Sequence, residues 1–396
     1  MLDEEIKQAN AIIDKELLQL TNLADTIFDH PEIGRQEVFA SKELEDYLEQ
    51  NGFQVQRGIG SLPTAFKAVW KAGEGGPVIG LLCEYDALQG MGHGCGHHMQ
   101  GPAIVGAAKA IKEASGGKPY TLIVYGTPGE ENISGKCIMI KDGVKFEDLD
   151  VALMMHGGPA TQTDIKCLAC TKYEIIYHGK AAHAALKPEA GRSSLDAMML
   201  GFHGVECLRE HVPTDVRLHY NIMDAGGTAA NVVPAYTRAE LYVRADTVGT
   251  LDATMKRLEA IFEGAALMTD TKAEYRVMKR TENKIPNFLL NDVIMKHARA
   301  LGAPNCQPPR ARTGSTDFGD VLHRTVGSCI RVAFVPEGTP SHSQTFIDAG
   351  KTQAAHYAVM YGAKILADTV LEILAKPELL QDMKKEFKER LAAEVK

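Results

Sequence analysis

At 396 residues the chain exceeds the size at which a single hydrophobic core usually stops growing, so two domains are expected. Its 45% apolar and 24% charged residues are those of an ordinary soluble globular protein, and no apolar run approaches the ~18 residues of a membrane span. A net charge of −8 without any Lys/Arg cluster argues against a nucleic-acid partner. Eight cysteines scattered along a long chain do not read as a disulfide framework. The start, Met1-Leu2-Asp3-Glu4-Glu5, has neither the basic nor the apolar region of a secretory signal, so a reduced, cytoplasmic setting is expected.

Ile6, Ile12, Ile13, Leu17 and Leu20 recur at near-helical spacing and predict an opening helix. A second helix is expected over Ser41–Asn51, ending at Gly52. Strands and helices then alternate: strands over Ala65–Trp70 and Pro77–Cys83, a helix over Gly101–Ala114, and a buried strand over Thr121–Tyr125. A helix over Gly135–Asp142 and a strand over Val151–Met155 follow. This order predicts an α/β catalytic domain, a sheet with helices on both faces, with ligands bound in the loops after the strands. Near Cys167 the texture changes. Lys172–Tyr177, Arg217–Asp224 and Ala235–Arg244 alternate like half-exposed strands; in the last, Ala239, Leu241 and Val243 face one way. Between them lies an amphipathic helix over Ser193–Val212, and another follows over Leu251–Met268. A β-α-β-β-α-β order predicts a ferredoxin-like α+β domain inserted over residues 168–283, between catalytic segments 1–167 and 284–396. Helices near Asn291–Leu301 and Thr352–Leu374 return to the first domain, a strand is expected over Ile330–Val335, and Asp382–Lys396 reads as a charged, solvated helical end.

The chemistry concentrates at Gly92-His93-Gly94-Cys95-Gly96-His97-His98, a thiol and three imidazoles in a segment too Gly-rich for core packing. Adjacent carboxylates at Glu130-Glu131, after Thr121–Tyr125, repel unless one binds a cation and the other moves protons; an isolated pair is more often a solvated loop. His156 directly follows Val151–Met155, and His342 lies beyond Ile330–Val335. Each signal is weak alone. Together Cys95, His97, Glu131, His156 and His342 lie at predicted strand ends of one sheet, the ligand count of a two-metal site with open positions.

These residues resemble the co-catalytic metallopeptidases and amidohydrolases that include aminoacylase, hippurate hydrolase, carboxypeptidase G and the auxin-conjugate hydrolases. The resemblance spans about Leu17 to Ala367 and rests on Cys83–Leu88, Gly92–His97, Gly126–Glu131, Gly179–Ala184, Asn231–Pro234 and Ser315–Asp317. The run Glu84–Leu88 ahead of the Cys/His motif is most similar to the branch of aminobenzoyl-glutamate hydrolases and a dipeptidase for basic dipeptides. The resemblance implies hydrolysis of an amide bond in an N-acyl amino acid, an aminobenzoyl-glutamate-like conjugate or a dipeptide. It implies two divalent ions, zinc or manganese, held by Cys95, His97, Glu131, His156 and His342, with Cys95 in the place of a bridging carboxylate. Glu130 is then the general base that takes a proton from water and passes it to the leaving amine. His183, on an inserted lid and dimerisation domain, matches a histidine that reaches across a homodimer to the oxyanion, while Asn231 and Arg244 hold the substrate's carboxylate. Asp86 supports the metal ligands from behind.

Two positions depart from the family's pattern. His98 stands where much of the family carries Asp or Asn, as an alternative ligand or a residue that reorients the others. Glu84 stands where distant relatives place a metal-binding histidine and is read as a support for the ligands. Two rival readings exist: a catalytically silent binding protein of the same fold, against which the retention of Glu130 and all five ligands argues, and a thiol-redox protein. The second would centre on Cys95 or on Cys167 and Cys170, a lone CxxC with no helix start to lower a thiol pKa.

Overall fold

The computed structural model describes residues 2–311 and 314–394. In chain order the strands are β1 Gln54–Ile59, β2 Leu62–Ala72, β3 Val78–Cys83, β4 Tyr120–Gly126, β5 Val151–Gly158, β6 Gln162–Thr163, β7 Ala169–His178, β8 Arg217–Asp224, β9 Tyr236–Ala245, β10 Lys272–Thr281 and β11 Gly327–Ala333. The α-helices are α1 Leu2–Asp29, α2 Val38–Gln50, α3 Gln100–Ala114, α4 Gly135–Lys141, α5 Ser194–Leu208, α6 Val248–Thr269, α7 Phe288–Ala300, α8 Phe318–Leu322, α9 Gln344–Ala349, α10 Gln353–Ala375 and α11 Pro377–Glu394. Two compact units result: one takes in the chain up to Lys166 and Lys284–Ala393, the other Cys167–Asn283 joined by Glu394. Among the described residues no helix is long and apolar enough to cross a membrane.

The first unit is built on a mixed sheet of order β1-β2-β4-β3-β5-β11-β6. Its middle strands β4, β3, β5 and β11 are mutually parallel, and β1, β2 and β6 add antiparallel edges. Alternate side chains feed two cores, as a pleated strand requires. Leu122, Val124, Ile79 and Leu81 join one core with α1, α2, α3, α7 and α10, while Ile123, Tyr125 and Leu82 pack with Met139 of α4 and Val321 of α8 on the other face. From β3 the chain passes to β4 on one side and then back across to β5 on the other. The direction of winding reverses at β3, and the loops beyond such a switch point form a crevice.

The second unit has a four-stranded antiparallel sheet of order β10-β7-β9-β8, connected β-α-β-β-α-β. Ala239, Leu241 and Val243 of β9 face inward and pack with Met198, Phe202 and Val205 of α5 and Leu258 and Phe262 of α6. Ser193 caps α5 by accepting from the Asp196 amide at 3.1 Å, and Thr247 caps α6 by accepting from the Thr250 amide at 3.1 Å.

Several elements differ from the sequence-based expectation. β5 does not stop at Met155 but continues through His156 to Gly158, because parallel pairing with β11 extends to Ala333↔Gly158. Gly157 serves close packing there: a Cβ would lie 2.5 Å from Met99 Cε and 2.8 Å from Phe334. The C-terminal segment is docked rather than solvated. Leu380 and Met383 of α11 are buried, and the Glu386 carboxylate accepts from the Phe288 and Leu289 amides at 2.9 and 3.0 Å, closing the start of α7. The edge strand β1 carries no apolar signal in Gln54, Gln56 and Arg57, so only its pairing with β2 reveals it. The charged end also differs at its last described residue, since Glu394 groups with the second unit, where it accepts from Asn283 Nδ2 at 3.0 Å.

Candidate metal centre

The loop after β3 is held in place before it holds anything. His93 and His97 are buried, contrary to the expectation that so many glycines keep this segment out of the core. His93 Nε2 donates to the Ile27 carbonyl of α1 at 3.1 Å. Gly96 adopts φ +82°, a left-handed conformation that a side chain would strain, and launches the short turn His97–Met99. The His342 amide donates to the Gly94 carbonyl at 3.0 Å, tying the loop after β11 to this one. His342 itself sits at φ +59°, rare for a residue with a Cβ and of the kind found where function outweighs backbone preference.

Three donor groups form around this loop, each with ligand atoms within 4.8 Å of one another: Cys95, His97 and His156; Cys95, Glu131 and His342; and His97, Glu130 and Glu131. All five residues expected as ligands are brought together, and Cys95 belongs to two groups, the position a bridging ligand requires. Each histidine is held by a second partner. His156 Nδ1 lies 2.6 Å from the Gly157 carbonyl and 3.1 Å from Arg331 Nη1, and its Nε2 is 3.6 Å from Cys95 Sγ. His97 Nδ1 donates to the Asp86 carbonyl at 3.1 Å, with Asp86 Oδ1 at 3.3 Å, so its Nε2 is the open donor. Asp86 Oδ2 also accepts from the Glu131 amide at 3.1 Å and thereby positions two of the donors.

The cluster attracts positive charge. Burial opposes a charge on His97, yet the Cys95 and Glu84 charges hold its pKa well above the ordinary value. His342 is held up to about 10 by hydrogen bonds to Cys95 and Glu131. Burial raises Glu131, but the His342 hydrogen bond and the His97 charge bring it down to about 2. His156 is pushed down to about 3 by burial and by the Arg331 charge, which keeps it neutral, the form a metal ligand needs. A soft sulfur donor, three imidazoles and two carboxylates fit a pair of divalent cations.

Behind the donors runs a buried chain of charge that the sequence did not reveal. Lys136 Nζ, on α4, lies 2.6 Å from Glu84 Oε1 and 2.8 Å from Asp317 Oδ1, with all three side chains buried. Glu84 Oε2 accepts from Gln100 Nε2 at 2.8 Å and is 3.3 Å from His97 Nε2. Burial raises the Glu84 carboxyl, but Lys136 and the histidines hold it far below the carboxylate range. Asp317 was visible as a motif residue, whereas Lys136, a lone lysine on a short helix, gave no local signal. His98 has no part in the donor groups: it is buried, its Nε2 donates to the Gly350 carbonyl at 2.8 Å, and its ring edge meets Phe28.

In the second unit His183 and Asn231 are exposed neighbours: His183 bridges to Val232, and the Ala184 amide donates to the Asn231 carbonyl at 3.0 Å. Arg244 lies elsewhere, near the far end of β9, its guanidinium 5.5 Å from the Tyr242 ring centre. Cys167 and Cys170 are both free and buried.

A switch-point crevice lined by two donor groups that share Cys95 fits a pair of metal ions. The chain belongs to peptidase family M20/M25/M40, which its residues 80–370 match, and is a hydrolase of that family. It is 32% identical to one of the subunits of p-aminobenzoyl-glutamate hydrolase of Escherichia coli (strain K12), over 95% of this chain and 93% of that protein. It is 33% identical to the Xaa-Arg dipeptidase of Mus musculus, over 98% and 93% respectively. The crystal structure of the Bacillus subtilis YXEP protein, a dinuclear metal-binding peptidase of the M20 family, shares the fold at a TM-score of 0.69 and 19% identity, covering 91% of this chain and 99% of that one.

Proposed function

We propose that the chain hydrolyses the amide bond of a small N-acyl amino acid, aminobenzoyl-glutamate-like conjugate or dipeptide. The observation that carries this reading is the sharing of Cys95 between two three-donor groups, with Glu130 in a third. Cys95, His97 and His156 would hold one ion, and Cys95, Glu131 and His342 the other, as zinc or manganese. Bound there, the ions would acidify water and polarise the scissile carbonyl. Glu130 takes the proton of the attacking water at its carboxylate and delivers it to the leaving nitrogen. Asp86 orients His97 through Nδ1, and the Gly157 carbonyl and Arg331 hold the ring of His156 from its Nδ1 side. His183, from a second copy in a homodimer formed through the inserted unit, donates to the oxyanion. Asn231 and Arg244 take the substrate's carboxylate, Arg244 by paired charge-assisted hydrogen bonds. The hydrolysis of aminobenzoyl-glutamate and of dipeptides by similar proteins supports the substrate range. Eight free cysteines suit a reducing cytoplasm.

The test is Glu130→Gln in protein reconstituted with zinc or manganese, assayed against a panel of these amides. Plasma emission should find about two ions per chain in both forms, and kcat should fall roughly 10²- to 10⁴-fold. A panel without turnover, or a variant as fast as wild type, would remove the proposal.

A further inference from the structure

One buried carboxylate of the metal cavity stands outside every donor group. Glu84 lines the same space as Cys95, His97 and His156, about 370 Å³ in volume, yet belongs to none of the three groups. Its Oε2 is 3.3 Å from His97 Nε2, the ring nitrogen that Asp86 leaves open. Two ligand atoms on one tetrahedral zinc ion are ~3.4 Å apart, given bonds of about 2.1 Å. Distance from His97 therefore does not keep Glu84 from joining it as a ligand.

A clamp on the far side holds it back. Lys136 Nζ donates to Glu84 Oε1 at 2.6 Å, and Gln100 Nε2 donates to Oε2 at 2.8 Å. The Glu84 amide donates to Gln100 Oε1 at 3.2 Å, so Gln100 grips backbone and side chain together. Lys136 is fixed in turn by Asp317, whose carboxylate accepts from its ammonium at 2.8 Å and from its amide at 2.9 Å. Glu84, Gln100, Lys136 and Asp317 are each no more than 2% exposed, so solvent screens these contacts little. Stripped of its donors, a buried carboxylate turns to the nearest cation, because a buried charge without a partner is costly.

We propose that Gln100 and Lys136 are positioning residues that withhold Glu84 from the metal centre. Cys95, His97 and His156 supply three donors, the number that leaves a zinc ion a position for water or substrate. Glu84 would make a fourth, and four protein donors close a zinc site into a structural one. The clamp thus keeps open the position that hydrolysis needs. The inference rests on the amide-hydrolase reading for its consequence and on metal binding alone for its test.

The experiment compares the zinc-loaded full chain with Gln100→Leu, a neutral change of similar size that frees Oε2. Zinc affinity is read by competition with a chromophoric chelator, alongside kcat on the amide panel. Loss of an ordinary contact behind a ligand weakens metal binding about 10- to 100-fold. Freeing Glu84 should do the opposite: Gln100→Leu should hold one of its two ions at least about tenfold tighter than wild type, with a lower kcat. Glu84→Gln added to that variant should remove the gain, since a neutral amide does not replace the anionic ligand. Should Gln100→Leu not fold, Gln100→Asn, whose shorter amide falls short of Oε2, repeats the comparison. Zinc held equally or more weakly by the folded variant, or a gain that survives Glu84→Gln, would overturn the clamp. If no amide of the panel is cleaved, the amide-hydrolase reading is what fails, and the chelator titration still decides the clamp.

Discussion

The two units treat their polar residues in opposite ways. In the first, Cys95, His97, Glu131 and His156 converge at the ends of parallel strands, and nearly every one is oriented by a second buried group. In the second, His183 and Asn231 stand exposed on a loop, and Arg244 lies half-buried along β9. The first unit is preorganised for bond breaking, at the cost of burying charge. The second offers contacts whose value depends on what is placed against them. The same contrast separates residues whose loss should abolish chemistry from residues whose loss should leave the fold untouched.

The sharpest test of the contrast is Cys95→Ala, which removes a donor from two groups at once. It should lower kcat/KM by more than ~10³-fold and reduce the ion content below two per chain by plasma emission, since a three-donor group becomes two. Lys136→Met leaves Glu84 and Asp317 buried without their cation. It should cost about 3–5 kcal/mol in urea unfolding, and a loss under ~1 kcal/mol would show that the chain behind the donors carries little. His183→Ala, by contrast, should lower kcat roughly 10²- to 10³-fold while the melting temperature stays within about 2 °C. A large fall in melting temperature there would erase the distinction between the units.

The smallest effect probes a half-satisfied buried carboxylate in the first unit. Burial raises Glu37 from its ordinary 4.5 to about 7, and its Oε1 has no partner. The folded state therefore favours the protonated acid, so the stabilising contribution is complete below about pH 4.5 and is lost as pH rises through about 7. Glu37→Gln should flatten that decline, with a gain on the order of 2 kcal/mol in unfolding free energy at pH 8 relative to pH 4.5. An identical pH dependence in both proteins would show that Glu37 ionises in the fold as freely as in the unfolded chain.

The alternation of strands and helices and the five donors were legible because each signal is local. A parallel strand buried on both faces is a short apolar run, and Cys95, His97, Glu131, His156 and His342 stand near the ends of such runs. What stayed hidden depends on partners far along the chain. The pairing of β5 with β11 draws His156 into the strand, and the carbonyl of Gly350 takes up His98. Buried Asp164 is paired with Lys284 and Arg331 from two distant segments of the chain. Neither has a neighbour in sequence that marks it.

By itself the sequence determined the class of fold and singled out the Cys, His and Glu side chains that the fold brings together, because apolar periodicity and residue chemistry are properties of short stretches. Only the tertiary structure decided which donor side chains come within reach of one another, that Lys136 underlies Glu84, and that the Gly350 carbonyl takes up His98. Those are matters of distance and orientation between segments remote in the chain, and hydrogen bonds and charges act over a few ångströms of space whatever their separation in sequence.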